Sequence, residues 1–320
     1  MKRTKSKLLP FLIVLLAASL CLTAGCSENQ DGTADPTASP SATAKATASS
    51  STEATPTAEA EPTAPASPTP LKLTDPPEGY DANDKAAAAD LLDLVFEDGE
   101  AKDQSAAQLE LTPINDPIVE TDPLINKTAA EFLGSGDASI NEISMYAAYG
   151  FGADYHATLE DGFSLEVYAK ITDDTMYGTL LGYMQGGGFG IDFDPNNAEN
   201  DLNGGANASI GFCMYDIGAG GYVNLYHEEP VELDRYYHVV GTFDGSTMSL
   251  YYDGQLIKST EITGPLQFPQ ETSQYLGIGG DAGPTDQGEL GMNGSLAIAR
   301  IYSTPLTASQ VYNLYLDAVQ

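Results

Sequence analysis

Apolar side chains recur at every second position through most of the chain beyond Asp90. Leu92, Leu94 and Phe96 alternate with Asp93, Val95 and Glu97 and run into Asp98-Gly99. Period two ending on Asp-Gly predicts a strand and a turn. In Gly162–Ile171, Phe163, Leu165, Val167, Ala169 and Ile171 share one face. Gly178–Met184, Phe189–Phe193, Ser209–Asp216 and Tyr222–His227 read as further short strands with Gly-rich connections. Tyr237, Val239, Gly241 and Phe243 then share a face, Asp244-Gly245 turns the chain, and Met248, Leu250 and Tyr252 alternate. Asp253-Gly254 turns it again into Leu256–Ile262, and two such signals nine residues apart predict consecutive hairpins. Tyr275–Gly280 and Leu290–Tyr302 close the strand series.

One stretch changes period. Thr307-x-x-Gln310 is a capping box, and Val311, Leu314, Tyr315 and Ala318 form a stripe at helical spacing. The pattern predicts an all-β domain over 90–320, an antiparallel sandwich with a short C-terminal helix. A domain of that length buries a sizeable core without staples.

The first 89 residues follow neither period. Lys2, Arg3, Lys5 and Lys7 precede the apolar run Leu8–Leu22, which is short for a membrane span of about 20 residues. The run ends in Leu22-Thr23-Ala24-Gly25-Cys26-Ser27. This segment resembles a bacterial lipoprotein signal, although Thr23 stands where a large aliphatic is usual. The resemblance implies cleavage after residue 25, acylation of Cys26, and an extracytoplasmic domain held to the membrane by lipid alone. An ordinary secretory signal is the alternative. From Thr33 to Pro70, 33 of 38 residues are Ala, Thr, Pro or Ser. Nothing there offsets the entropy of ordering a backbone, so residues 26–89 read as a disordered tether.

The chain has 13 Lys+Arg against 46 Asp+Glu, a formal charge of −33. Loss of residues 1–25 removes four basic residues and no acid, leaving −37, and residues 90–320 alone carry −30. Such a balance excludes nucleic acid and basic-patch docking on anionic membranes. It favours neutral sugars, cations or basic partners. Cys21 leaves with the signal and Cys26 is the acylation site, so Cys213 is the remaining thiol, read as buried and inert within Ile210–Tyr215.

Two segments are familiar. Asp234–Gln255 and Gly294–Gln310 resemble the concanavalin A-like, laminin G-like jelly-roll modules of bacterial surface proteins, and Gly162–Ile171 resembles the same family's first strong strand. The resemblance implies two packed antiparallel sheets, one concave, and binding or adhesion more often than catalysis. Tyr236 stands where the family usually has Trp. Ala297 stands where some relatives have an Asp that helps hold calcium.

The expected ligand is therefore a glycan or a surface protein, with a structural module lacking any small ligand as the alternative. Tyr183, Tyr215, Tyr222 and Tyr226 are the candidate aromatic platform, since Tyr rings stack on sugars in the absence of Trp. Asp192, Asp194, Asn196 and Asp201 belong to the densest oxygen cluster and are the candidate ligands for Ca²⁺, which takes six to eight oxygens. Solvated loop residues are the competing reading. No other cofactor is called for. Glycosidases of this fold place Glu-x-Asp-x-Glu on one strand. The chain lacks that triplet: after Asp192-Phe-Asp194 the next acid is Glu199, past Pro195. His156, His227 and His238 form no catalytic spacing, so no enzymatic activity is expected.

Overall fold

The computed structural model describes residues 73–134, 143–196, 208–269, 275–282 and 288–320, all within one compact unit, Pro65–Gln320. The signal segment, Cys26 and most of the tether lie outside the described residues. Among the described residues no helix is long and apolar enough to cross a membrane.

Two antiparallel sheets pack face to face. The strands in chain order are β1 (Leu92–Glu97), β2 (Glu100–Asp103), β3 (Thr112–Ile114), β4 (Ile118–Asp122), β5 (Lys127–Phe132) and β6 (Met145–Ala148). A short helix α1 (His156–Leu159) precedes β7 (Phe163–Ile171), β8 (Gly178–Tyr183), β9 (Phe189–Asp194), β10 (Ser209–Asp216) and β11 (Gly221–Tyr226). Then follow β12 (Tyr236–Phe243), β13 (Thr247–Tyr252), β14 (Gln255–Glu261), β15 (Leu276–Ile278), β16 (Gly294–Tyr302) and helix α2 (Ala308–Ala318). One sheet runs β14-β13-β12-β7-β16-β1-β2, with β5 also on β16 and β4 on β5. The other runs β11-β10-β9-β8-β15-β6-β3. Residues 100–160, whose role the sequence did not disclose, thus supply edge strands to both sheets.

The alternation read from the sequence aims the same side chains inward. Phe163, Leu165, Val167 and Ala169 of β7 join Val239 and Phe243 of β12 against Ile191 and Phe193 of β9 and Ile210, Phe212 and Met214 of β10. Rings of Phe163 and Phe189 meet across the sheets at 4.4 Å. Such interdigitated apolar layers are what two half-buried antiparallel sheets form when stacked.

β7 is buried on its second face as well, where Tyr168 packs with Ala318 of α2 and Ser164 Oγ accepts from Leu306 N. The capping box forms as expected: Gln310 N donates to Thr307 Oγ1 at 3.2 Å, and Thr307 N to Gln310 Oε1 at 3.0 Å. Residues 73–89 depart from the tether reading. Tyr80 donates its hydroxyl to Asn313 Oδ1 (2.7 Å), Tyr312 donates to Thr74 O (2.7 Å), and Asp84 accepts from Thr307 Oγ1 (2.6 Å) and Gln310 Nε2 (2.9 Å). The attachment is by hydrogen bonds, the Tyr80 ring edge-on to Tyr312 at 5.0 Å and two small apolar residues, Ala86 and Ala89, so no hydrophobic period announces it. Asn313 is buried and also accepts from Lys85 Nζ and donates to Asp84 O. Asn313→Ala is expected to cost about 1–3 kcal/mol in urea unfolding, because it leaves buried partners unmade, and to open 73–89 to limited proteolysis.

Candidate functional site

A pocket of about 310 Å³ opens on the outer face of the seven-stranded sheet. Period two builds it: Asp192 and Asp194 of β9 project on that face, as do Cys213 of β10 and Tyr222, Asn224 and Tyr226 of β11. Across the ladder Tyr226 pairs with Gly211, Gly211 with Asp192, and Asp192 with Thr179. A Cβ on Gly211 would sit 2.3 Å from the Tyr226 ring. The glycine therefore lets that ring lie across β10 and reach Asp192.

Asp192 accepts from Tyr226 through Oδ1 at 2.8 Å and from Tyr177 through Oδ2. Gln185 donates to Ala282 O at 2.5 Å and to Glu289 Oε1 at 2.6 Å, closing the other side of the pocket. Asp281 stands beside them and accepts from Ala282 N at 2.8 Å. Tyr222 holds the Gln185–Gly188 turn: its hydroxyl donates to Gly187 O (2.8 Å) and accepts from Gly187 N (3.3 Å).

Two of the acids here are perturbed upward. Burial raises the Asp192 carboxyl to about 6 against the opposing hydrogen bonds from Tyr177, Tyr226 and Cys213. Burial is likewise the main cause for Asp281, with Glu289 and Asp192 adding repulsion, and it reaches about 7. A folded-state pKa above the unfolded value means the folded protein retains a proton that the unfolded chain releases. That contribution is lost as pH rises from about 4 toward 7. Asp281→Asn is therefore expected to melt higher than the parent protein at pH 8, by several degrees, with the gap closing toward pH 4. A pH-independent gap would contradict the burial of that carboxyl.

Three of the four candidate tyrosines share this region. Tyr222 and Tyr226 line the pocket, and Tyr215 stands edge-on to Tyr222 with ring centroids 5.2 Å apart. Tyr183 lies elsewhere. A bulge between Thr179 and Leu181 shifts the alternation of β8, so Tyr183 points into the core against Phe151 and Phe189, and its hydroxyl meets His156 Nε2 at 3.2 Å. Among the described residues the calcium candidates form no cage. Asp192 and Asp194 face one pocket, but phenols occupy both oxygens of Asp192. Asn196 donates its backbone N to Asp194 Oδ1 at 2.7 Å, and Asp201 lies outside the described residues. Among the described residues no group of three or more His, Cys, Asp or Glu could hold a metal ion. Tyr177, Gln185, Asn224, Asp281 and Glu289 carried no local sequence signal, because the pocket joins residues a hundred positions apart. No described residue of 100–160 lines it.

Similarity to known proteins agrees with this architecture. A family model, Laminin_G_3 of the concanavalin A-like lectin/glucanases superfamily, matches residues 149–312. Among solved structures, botulinum neurotoxin type C, whose cell entry depends on interaction with two ganglioside molecules, aligns at 13% identity and TM-score 0.52, covering 72% of this chain and 51% of that one. The binding domain of botulinum neurotoxin DC in complex with SialylT aligns at 13% identity and TM-score 0.51, covering 72% and 52%. The same binding domain in complex with rat synaptotagmin II gives the same values. This chain spans about half the length of those chains, and at such identity the likeness is one of fold. No curated protein matches the sequence. The family match covers half of the chain, and the protein belongs to the laminin G-like branch of the concanavalin A-like lectin/glucanases superfamily.

Proposed function

We propose that this protein is a lectin-like binding module of the bacterial cell surface, anchored through acylated Cys26 and carrying a glycan site in the pocket between Tyr222, Tyr226 and Asp192. The observation that carries the reading is the pocket itself. It combines a half-exposed Tyr222 ring with convergent carboxylate and amide groups on a rigid sheet, the mix that ligand sites use for contact area and orientation. The neurotoxin domains of similar fold bind gangliosides, SialylT and synaptotagmin II, which supports a glycan or a protein as partner. The domain charge of −30 turns the choice toward neutral or cationic glycans. A glycan array probed with the full chain tests it: binding that Tyr222→Ala abolishes is expected. Binding of an envelope protein alone, unaffected by Tyr222→Ala, would replace the glycan reading.

Anchoring has its own test. Cys26→Ala is expected to abolish incorporation of labelled palmitate and to move the protein from the membrane fraction to the medium. Retention on the membrane would overturn the anchor.

One observation favours a second reading, hydrolysis: several carboxylates share the pocket, and two of them are raised toward neutrality. Against it, both oxygens of Asp192 are held by phenols. Release of reducing ends from β-glucans, lost in Asp192→Asn, would establish it.

A further inference from the structure

Among the described residues only two large aromatic side chains are left exposed, Tyr149 at 43% and Tyr222 at 37%. Both stand on the outer face of the seven-stranded sheet. Tyr222 lines the pocket. Tyr149 follows β6, where Tyr146 and Ala148 join the core while Met145 and Ala147 pack with Tyr275 on the opposite face. Period two therefore turns Tyr149 outward.

The ladder registers set the two tyrosines in one row. Tyr222 pairs with Tyr215, and Tyr215 N donates to Gly188 O at 2.9 Å. Tyr183 pairs with Phe189, which sets Gly188 across from Met184. Gly182 pairs with Gly277, which carries Met184 across from Tyr275, and Leu276 pairs with Ala148, which carries Tyr275 across from Tyr149. The row thus crosses the sheet from β11 to β6, and at about 4.8 Å per interstrand step it spans about 24 Å.

Exposed apolar side chains scattered singly are ordinary. These two are not scattered, and each is braced across the ladder by a second tyrosine. Tyr215 stands edge-on to Tyr222, and the fully buried Tyr275 meets Tyr149 with ring centroids 4.9 Å apart. The Tyr222 hydroxyl is already held by Gly187, so what it offers a ligand is its ring. Gln185, next to Met184 in the chain, stands between the two ends with its amide on Ala282 O and Glu289 Oε1. The pocket volume of about 310 Å³ sits at the low end of ligand pockets, roughly 300–1,000 Å³, and suits a single sugar ring. A ligand that also reaches Tyr149 is longer than the pocket.

We propose that this row is the track of a linear, uncharged oligosaccharide, with one ring seated in the pocket against Tyr222, the chain passing over Gln185, and a distal ring stacked on Tyr149. The proposal rests on the glycan reading above and gives it a ligand class. A sugar ring has an apolar face for a tyrosine and a polar rim for an amide, and a linear chain repeats that face at intervals. The domain charge of −30 disfavours anionic chains.

The array test with the full chain is extended by ladders of linear glucans, xylans and N-acetylated chitin oligomers, each from monosaccharide to hexasaccharide. Within the recognised ladder the hexasaccharide is expected to bind about tenfold more tightly than the disaccharide. Tyr149→Ala is expected to weaken the hexasaccharide roughly three- to tenfold and to leave the disaccharide unchanged. Tyr149→Phe keeps the ring and is expected to bind as the parent does, with melting curves confirming that both variants fold. Equal affinity along the ladder, or a hexasaccharide unaffected by Tyr149→Ala, would overturn the track and leave the pocket as a glycan site wherever Tyr222→Ala still abolishes binding. Binding only of branched or charged glycans would overturn the track alone. Binding of no glycan would overturn the track and the glycan reading together.

Discussion

Glu166→Ala is expected to destabilise the domain by about 3–5 kcal/mol, the loss typical when one partner of a buried ion pair is removed. Glu166 projects from β7 beneath α2 and is fully buried. It accepts from His238 Nε2 at 3.0 Å, from the Tyr302 hydroxyl at 2.5 Å, and from Arg300 Nη1 at 3.3 Å. Because a carboxylate only accepts, the proton of that pair resides on His238 Nε2. His238 Nδ1 already has no partner, so removal of Glu166 leaves the buried ring with none. Arg300 retains Asp93 at 2.7 Å, which limits the damage on that side. Burial alone would raise the Glu166 carboxyl, but the hydrogen bond from His238, the charges of His238 and Arg300 and the Tyr302 hydroxyl outweigh it and hold it near 2, below the ordinary 4.5. A depressed folded-state value gives stability that is present above about 4.5 and lost as pH falls toward 2. Urea midpoints of the parent protein and Glu166→Gln are therefore expected to converge as pH falls from 4.5 toward 2. Parallel curves over that range would contradict the network.

Gly188→Ala is the second large effect, and it strikes the pocket. Gly188 has φ +91°, in the left-handed region, and a Cβ there would lie 1.7 Å from the Tyr183 carbonyl oxygen. Its N donates to Gln267 O at 2.5 Å and its O accepts from Tyr215 N at 2.9 Å, so the residue is fixed from both sides. The backbone conformation alone costs about 1–2 kcal/mol, and relief of the overlap by shifting backbone costs about 1–3 kcal/mol more. The shift carries Gln185 and Gly186, which line the pocket, and the loop held by Tyr222. Ligand binding is expected to fall with stability. Gly186→Ala is the control: φ is +68° but its Cβ would meet nothing within 4 Å, so about 1 kcal/mol is expected. Equal melting temperatures for the two variants would contradict the close approach.

Much of the sandwich was legible in the chain because its central strands alternate strictly. Phe163–Ile171, Tyr236–Phe243 and the two Asp-Gly turns declare themselves without tertiary help. The edge strands did not. Glu100-Ala-Lys-Asp103 and Ile118-Val-Glu-Thr-Asp122 have no apolar face, and only pairing with β1 and β5 makes them strands. Residues 73–89 were hidden for a related reason, since hydrogen bonds, one Tyr80–Tyr312 ring contact and two alanines hold them with no apolar period. The alternation also set Glu166 on the face opposite the core, and nothing local reveals that α2 buries that face. For the site, period two placed Tyr222 and Tyr226 together and Asp192 with Asp194. It misplaced Tyr183, because one bulge reverses the alternation in β8. Asp281 and Glu289 join the pocket through a loop bridge between Asp281 and Glu289 and the Gln185 amide, long-range contacts that leave no period to read.

The pocket over the seven-stranded sheet is the centre of the functional reading. Its most direct test is nuclear magnetic resonance of the isotope-labelled full chain titrated with the best ligand from the glycan array. Shift changes concentrated on Gln185, Asp192, Tyr222, Tyr226 and Asp281 are expected. Changes confined to the nine-stranded sheet, or to the β4–β5 edge, would contradict it.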